Sequence, residues 1–283
     1  MAIQVITDST ADLPQELKDR YQIKTVPLYV HFGEEVYRDG IDLTPESFLE
    51  KVKAGPVFPK TSQPTPEDFR RVFQPILEQG DELIFLGISS EVSGTISSAL
   101  LAAEELDPQK ISIIDSRNLS LGLGLLVLHA CRLRAQGLPL RAITEEVNRL
   151  VPLVRISFVV DTLEFLYKGG RLSKTQAVVG NILSIHPRIE IVDGKLVVAE
   201  KIRGTKAKAR TRLIQWALQD TARIDPEWMG IPHCYDPGEA EAIIEELRPL
   251  GLAKEYIVTQ VGAIISSHCG PGTFCITYVK KPE

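Results

Sequence analysis

The chain has 283 residues, of which 44% are hydrophobic and 24% are charged, and its formal net charge is −5. That length and composition are typical of a globular protein with two domains, each large enough for its own core. The acidic balance argues against a protein dedicated to binding nucleic acid.

Neither export nor a metal site is indicated. The first ten residues lead directly into a strand pattern rather than a signal peptide, and the longest uncharged apolar stretch, residues 118–131, is too short to span a bilayer. No pair of cysteines has CxxC spacing, and His268, Cys269 and Cys275 lack the spacing and the fourth ligand of a zinc site. We expect reduced thiols, no bound metal and a cytoplasmic location.

Strands and helices alternate in the first half of the chain. Apolar runs predict strands over residues 3–7, 24–32, 82–88 and 110–115. Helices are predicted after Asp12, after the Thr-Pro pairs at residues 44–45 and 65–66, through residues 93–106, and over 119–135. Short apolar strands separated by helices are typical of a parallel sheet covered on both faces, so we predict an α/β domain over residues 1–152.

The second half has a different pattern. The pair Asp193-Gly194 lies between two alternating runs and predicts a β-hairpin. Further elements are strands at 155–161, 229–234 and 255–261, helices at 205–219 and 238–248, and helices interrupted at residues 169–170. The closing segment, residues 262–277, is interpreted as two strands joined by a Gly-Pro-Gly turn. We predict an α+β domain with a mixed, partly antiparallel sheet over residues 153–283.

Hydroxyl side chains are concentrated in two loops that precede predicted helices. Thr61 and Ser62 precede a helix N-terminus, where anions are favoured. Ser93 lies in a turn after the strand at 82–88, at the carboxyl end of a parallel strand, where open α/β sheets bind ligands. A polar loop that satisfies its own backbone, and a helix cap at Ser93, are the structural alternatives.

Three basic features are further candidates. Arg171 follows a glycine turn and can clamp a carboxylate or phosphate, although an exposed arginine is equally compatible with the pattern. His268 lies beside the Gly-Pro-Gly turn and can donate a hydrogen bond, although single histidines are usually structural. Residues 201–212 carry six basic side chains and no acid, which predicts a solvated helix face or a cationic landing site.

Seven segments carry a resemblance that runs the whole chain: ITDSTADLP, TSQPTPEDF, ISSEVSGTISSA, DSRNLSLGLG, LEFLYKGGRLS, KIRGTKAKA and GAIISSHCGPGT. In this order they resemble the DegV family of bacterial fatty-acid-binding proteins, which includes the acyl-binding subunits of fatty acid kinase. The resemblance implies two α/β domains with one long-chain, palmitate-like fatty acid buried between them. No GxxxxGK[ST] nucleotide loop occurs, so phosphoryl transfer is assigned to a separate kinase. We expect a lipid-binding protein without a cofactor, which allows transient contact with a membrane.

The resemblance also implies roles for individual residues. Contacts to the fatty-acid head group fall on Thr61 and Ser93. His268 and Arg171 lie near that polar end, and Ser62 is included with Thr61 as a candidate.

The resemblance places Arg203 where a kinase would approach. Two departures from the family pattern are Cys269, where a threonine is usual, and His186, where a lysine is common. Residues with the polarity of tail-lining side chains, which ordinary core residues share, are Phe158, Phe165, Leu166, Ile182 and Ile264.

Two functions of other classes compete with a lipid carrier. Ser93, His268 and an aspartate such as Asp8 or Asp115 have the residue types of a serine acyl hydrolase. Against this, Ser93 lies in Val-Ser-Gly-Thr rather than in a GxSxG elbow. The other alternative is an interaction protein that uses only its basic segment.

Overall fold

A computed structural model describes residues 2–55, 57–173 and 185–282. The chain divides into two compact units. Unit 1 comprises the residues up to Pro152 together with Gly262–Ile264, and unit 2 comprises Leu153–Val261 and the residues from Ile265 onward. Unit 1 contains a parallel sheet with flanking helices and unit 2 contains a mixed sheet, so the predicted fold class is confirmed.

Four parallel strands form the central sheet of unit 1. They are β1 (Ile3–Asp8), β2 (Lys24–Val26), β6 (Glu82–Gly87) and β7 (Ile111–Asp115), in the order β2-β1-β6-β7. The unit also contains the helices α1 (Gln15–Arg20), α2 (Pro45–Ala54), α3 (Pro66–Glu78), α4 (Thr95–Glu104), α5 (Ser120–Ala135) and α6 (Leu140–Leu150).

Both faces of the parallel sheet are covered. Phe85 of β6 packs against α3, where its ring lies 5.0 Å from that of Phe69, and the same cluster includes side chains of α4. Successive strand residues point to opposite faces, so Ile84 and Leu86 face away from this cluster. Helices α5 and α6 pack against each other and against the sheet. The predicted starts of α2 and α3 are confirmed by capping boxes at Thr44 and Thr65.

A second, three-stranded sheet of unit 1 contradicts one predicted strand. Residues 24–32 form β2 and then β3 (Tyr29–Phe32), which belong to different sheets because Pro27 between them has no N–H to continue a strand ladder. Strand β3 pairs antiparallel with β4 (Glu35–Arg38) and with β5 (Lys60–Ser62). This small sheet holds the predicted hydroxyl residue Thr61.

Unit 2 is built on a six-stranded mixed sheet. Its strands are β8 (Val154–Val159), β9 (Ile185–Val192), β10 (Lys195–Arg203), β11 (Ile224–Cys234), β12 (Glu255–Gln260) and β13 (Thr273–Lys280), in the order β10-β9-β8-β13-β11-β12. Only the β11–β12 pair is parallel among these neighbours. The predicted hairpin is confirmed, because Asp193 and Gly194 connect β9 and β10 with φ values of 49° and 79°.

The described residues of unit 2 include the helices α7 (Glu164–Lys168), α8 (Lys206–Leu218) and α9 (Pro237–Leu247). One face of the sheet carries an ionic network near α8, centred on Arg188. The Arg188 guanidinium donates to Glu190 at 2.6 Å, to the Ser157 hydroxyl at 3.1 Å and to Glu200 at 3.3 Å. Arg188 is 9% exposed, so this charge depends on protein partners rather than on water.

The predicted strand at the start of the closing segment is wrong. Residues Ala263–Cys269 form the helix α10, and only the part after the Gly-Pro-Gly turn is a strand. A short apolar run fits a buried helix as well as a strand, so periodicity alone does not separate the two. The turn itself has φ values of 76° at Gly270 and 84° at Gly272, which favour glycine.

Candidate functional site

Strand β5 directs two neighbouring hydroxyls to opposite faces of the small sheet. Thr61 lies opposite Val30 in the register and shares the face of that fully buried side chain. Ser62 lies on the other face, where its Oγ is 2.8 Å from Nε2 of His31. The structure therefore separates Ser62 from Thr61, and the candidate site retains Thr61.

The turn before α4 holds the second predicted hydroxyl. The Ser93 Oγ lies 2.9 Å from the Thr95 Oγ1, and the Thr95 backbone N–H donates to the same Ser93 oxygen at 3.4 Å. Ser93 is half-buried, whereas Thr95 is fully buried. The N-cap of α4 is Gly94, which has no side chain to cap the helix, so Ser93 does not serve as the N-cap.

Gln63 connects these two loops within unit 1. Its Nε2 donates to the Ser98 hydroxyl of α4 at 2.9 Å, and its carboxamide occupies the space that a Cβ on Gly94 would fill. The end of strand β5, which carries Thr61, is thus fixed beside the turn that carries Ser93. Sequence reasoning missed Gln63. The sequence did offer one sign: Gly94, between Ser93 and Thr95, lacks a side chain, which allows another group to approach the backbone there.

Unit 1 contains three buried aspartates, Asp8, Asp12 and Asp39. Asp12 accepts a hydrogen bond from the Gly262 backbone N–H and Asp39 accepts one from the Ala263 N–H, each at 2.8 Å. These bonds satisfy backbone donors at the start of α10. Burial raises the pKa of Asp12 from 3.8 to about 8, and the nearby charges of Asp39 and Asp8 add to this rise.

The stability of the protein is expected to fall as the pH rises from 6.5 to 8. Asp12 has a higher pKa in the folded state than in the unfolded state, so the folded state retains a proton that the unfolded state has released. Ionisation of the folded carboxyl removes that advantage, on the order of 1 kcal/mol over this range. His268 and His233, whose pKa values are lowered by burial, oppose this trend, but most of their effect falls below pH 6.5, where the unfolded imidazoles are largely protonated.

Denaturant unfolding at pH 6.5, 7.25 and 8 measures this slope. Asp12→Asn, which mimics the protonated acid, is expected to remove most of it. Asp39→Asn is the comparison variant, because burial raises the pKa of Asp39 only to about 6 and this group is mainly ionised throughout the window. The charge of Asp39 is a minor cause of the raised pKa of Asp12, so most of the slope is expected to persist in Asp39→Asn. A slope that persists in Asp12→Asn would assign it to another group.

In unit 2 the structure brings together two of the motifs singled out in the sequence. A Cβ on Gly169 would overlap the His268 ring, and a Cβ on Gly270 would overlap the ring of Phe165. Arg171 donates from Nη1 to the Gly169 carbonyl at 2.7 Å. The glycine turn after α7 and the end of α10 therefore pack directly on each other.

The electrostatics of this second cluster favour a neutral histidine beside a cation. Burial, together with the positive charge of Arg171, lowers the pKa of His268 to about 3. Burial also lowers the pKa of Arg171 below its ordinary value, but the guanidinium stays charged at neutral pH. A neutral imidazole and a half-buried guanidinium together offer donors to an anionic group.

The predicted tail-lining residues have mixed positions. Phe158 lies opposite Ile189 in the register, on the face of the sheet that points away from Arg188. Phe158, Leu166 and Ile264 are buried and Phe165 is half-buried, whereas Ile182 lies outside the described residues. Burial is equally compatible with core packing, so the tail-lining role stays a prediction.

The basic segment at residues 201–212 is largely engaged inside unit 2. Lys206 pairs with Asp236 at 2.5 Å, Arg210 with Glu239 at 2.8 Å, and Arg212 with Glu200 at 2.8 Å. Arg203 is exposed at the end of β10. At least three of the six basic side chains thus have acidic partners within unit 2, which weakens the interpretation of this segment as one continuous cationic surface.

The two departures from the family pattern have different surroundings. Cys269 is buried at the end of α10, where its carbonyl accepts a hydrogen bond from Thr273 Oγ1 at 3.1 Å. His186 lies 3.6 Å from Asp161, which also pairs with Lys206 at 3.4 Å. His186 therefore joins an existing ionic cluster.

The hydrolase alternative gains no support from unit 1. The Ser93 hydroxyl bonds to Thr95, while the two predicted acids accept hydrogen bonds from residues other than Ser93 and a histidine. Asp8 accepts from the Ile88 N–H at 2.8 Å, and Asp115 accepts from the Ser90 hydroxyl at 2.5 Å.

Within the described part of the chain, no group of three or more His, Cys, Asp or Glu side chains is arranged to hold a metal ion. The described helices are all too short or too polar to cross a membrane.

Solved structures of bacterial fatty-acid-binding proteins have this fold. One is a DegV family protein from Thermus thermophilus described as binding fatty acid, with 38% identity, a TM-score of 0.89, and coverage of 99% of this chain and 100% of that one. Another is DegV of Bacillus subtilis, a fatty acid binding protein, with 35% identity, a TM-score of 0.89 and the same coverage.

Sequence comparison gives the family. The DegV family model matches residues 2–281. A DegV domain-containing protein of Caldanaerobacter subterraneus is 34% identical over 279 residues, which cover 99% of each chain. The chain belongs to the DegV family, and the resemblance drawn from the seven segments is confirmed.

Proposed function

We propose that this chain binds one long-chain fatty acid, with the carboxylate at Thr61 and Ser93 and the acyl chain between the two units. The observation that carries the proposal is full-length similarity to the fatty-acid-binding DegV protein of Thermus thermophilus. A related protein from Eubacterium ventriosum, 26% identical with a TM-score of 0.87 over 99% of both chains, is described as binding stearic acid. The link that Gln63 makes between the two hydroxyl-bearing loops adds support from this chain itself.

The acyl tail and the carboxylate of such a ligand contribute differently to the free energy of binding. Each buried methylene contributes about 0.8 kcal/mol, so a sixteen-carbon tail supplies on the order of 11 kcal/mol before the costs of association. A carboxylate entering a dry site needs hydrogen-bond partners, which contribute roughly 1.5–3 kcal/mol each. The tail therefore sets the affinity, while Thr61 and Ser93 set the position of the carboxylate. His268 and Arg171 are proposed to lie near this polar end.

Organic extraction of the purified protein followed by mass spectrometry tests the proposal. We expect about one saturated or monounsaturated long-chain fatty acid per chain, and saturable rebinding of palmitate after the lipid is removed. The absence of both would contradict a lipid carrier. Labelling of Ser93 by a fluorophosphonate probe would instead support the hydrolase.

We further propose that the bound carboxylate is presented to a separate kinase, which forms the acyl phosphate, and that Arg203 lies where this kinase docks. The exposed position of Arg203 supports its accessibility. Incubating the protein with ATP and palmitate is expected to give no acyl phosphate until a kinase is added. Acyl phosphate formed by this protein alone would refute the division of labour.

A further inference from the structure

Ser93 and Thr95 share one hydrogen bond, and its direction decides what Ser93 can bind. Their hydroxyl oxygens are 2.9 Å apart. Each hydroxyl carries a single proton, so one of them donates within the pair and the other must donate elsewhere. The question is which of the two protons remains available to a ligand.

The burial of Thr95 determines the direction. Its residue is 0% exposed, and within the described residues its hydroxyl is hydrogen-bonded to Ser93 alone. If Ser93 donated to Thr95, the Thr95 proton would be left inside the protein without an acceptor, which is a costly arrangement. If the Thr95 hydroxyl donates to the Ser93 Oγ, both the hydroxyl and the N–H of Thr95 have a hydrogen-bond partner. The proton of half-buried Ser93 then points elsewhere.

The backbone supports the same direction. The Thr95 N–H also points to the Ser93 Oγ, at 3.4 Å, so this oxygen is placed to accept from two groups of Thr95. A hydroxyl oxygen has two lone pairs, and both are then used. Ser93 is left with its proton as the one group it can offer.

We propose that Thr95 is a positioning residue that commits the Ser93 hydroxyl to donating toward the head group of the ligand. This inference rests on the proposed function, which places a carboxylate at Ser93. A committed donor suits a carboxylate, which only accepts hydrogen bonds, and disfavours an ammonium group, which only donates them. Thr95 thereby determines specificity for acyl anions over long-chain amines without touching the ligand.

The test compares palmitate with hexadecylamine on delipidated protein, by displacement of a fluorescent fatty acid. Thr95→Val keeps the branched shape and removes the hydroxyl, and Thr95→Ser keeps the hydroxyl. We expect Thr95→Val to bind palmitate about fivefold more weakly, the effect of losing one neutral hydrogen bond. Its affinity for hexadecylamine is expected to stay or rise, because Ser93 is then free to accept. Thr95→Ser is expected to keep the wild-type ratio of the two affinities.

Other outcomes overturn the inference. Equal weakening for both ligands would show a purely structural role, and an unchanged ratio in Thr95→Val would show that Thr95 does not direct Ser93. A wild-type protein that binds neither ligand would overturn the proposed function and this inference with it. Neutron diffraction of the wild-type protein tests the direction without a variant: the deuterium between the two oxygens must belong to Thr95, and one on Ser93 refutes the proposal.

Discussion

Ser93→Ala is expected to weaken palmitate binding about 10- to 100-fold, and the double variant Ser93→Ala, Thr61→Val is expected to abolish binding at micromolar ligand. Each substitution removes a hydroxyl donor from a charged carboxylate, and such bonds are stronger than neutral ones. The second loss is the more severe, because it leaves the carboxylate in a desolvated place with few partners. Titration of the delipidated variants with palmitate measures both effects.

Ser62→Ala is the matched control for this experiment. It removes a hydroxyl from the same three-residue strand, but one that faces the other side of the sheet and bonds to His31. A change of less than about twofold is expected, since no hydrogen bond to the ligand is lost. Should Ser62→Ala weaken binding as much as Thr61→Val, the head group would have to lie on the face of His31.

Arg188→Ala is expected to lower the free energy of unfolding by about 2–4 kcal/mol, the largest stability effect that we predict. The side chain is nearly buried and bonds to Glu190, Glu200 and Ser157 together. Its removal leaves acidic groups of the sheet without their shared cation, and this loss exceeds the cost of the cavity alone. Urea denaturation followed by circular dichroism measures the change.

Arg212→Ala tests whether position in the network, rather than charge, determines the effect. Arg212 pairs with the same Glu200 at 2.8 Å, but 48% of its side chain is exposed. Exposed ion pairs contribute little, so we expect a loss below about 1 kcal/mol. Similar losses for the two arginines would contradict the central role of Arg188.

Local signals in the sequence predicted local structure well. The Thr65-Pro66 start of α3 and the turn at Asp193-Gly194 depend on the conformations of a few neighbouring residues. The residue types at these positions indicate those conformations directly. Helix α6 lacks such a signal, because Pro139 at its N-cap offers no side-chain hydrogen bond, and no element was predicted there. The closing helix α10 was mistaken for a strand for a related reason: the groups that satisfy its first donors, Asp12 and Asp39, are distant in sequence.

The candidate site was predictable in part. Ser93 and Thr61 were candidates from the sequence pattern, and the resemblance to the family supplied their proposed role as carboxylate contacts. Ser93 lies in a turn after a strand, as is common for binding residues, whereas Thr61 lies within the short strand β5. Ser62 was indistinguishable from Thr61 in the sequence, because only the register of β5 shows that alternate residues face opposite sides. Gln63 and Thr95 escaped notice for another reason. Their contribution is a hydrogen bond to a neighbour rather than a recognisable residue pattern.

The two proposed carboxylate contacts differ in how firmly the protein holds them. Thr61 belongs to a strand of only three residues that pairs with β3 alone within the described sheet, whereas Ser93 precedes a ten-residue helix packed into a hydrophobic cluster. Short edge segments open locally at a lower free energy than core helices do. We therefore expect Ser93 to keep its position while the strand that carries Thr61 opens locally. Such asymmetry fits the proposed conversion of the carboxylate to an acyl phosphate, in which the head group grows by one phosphoryl group while the tail stays in place.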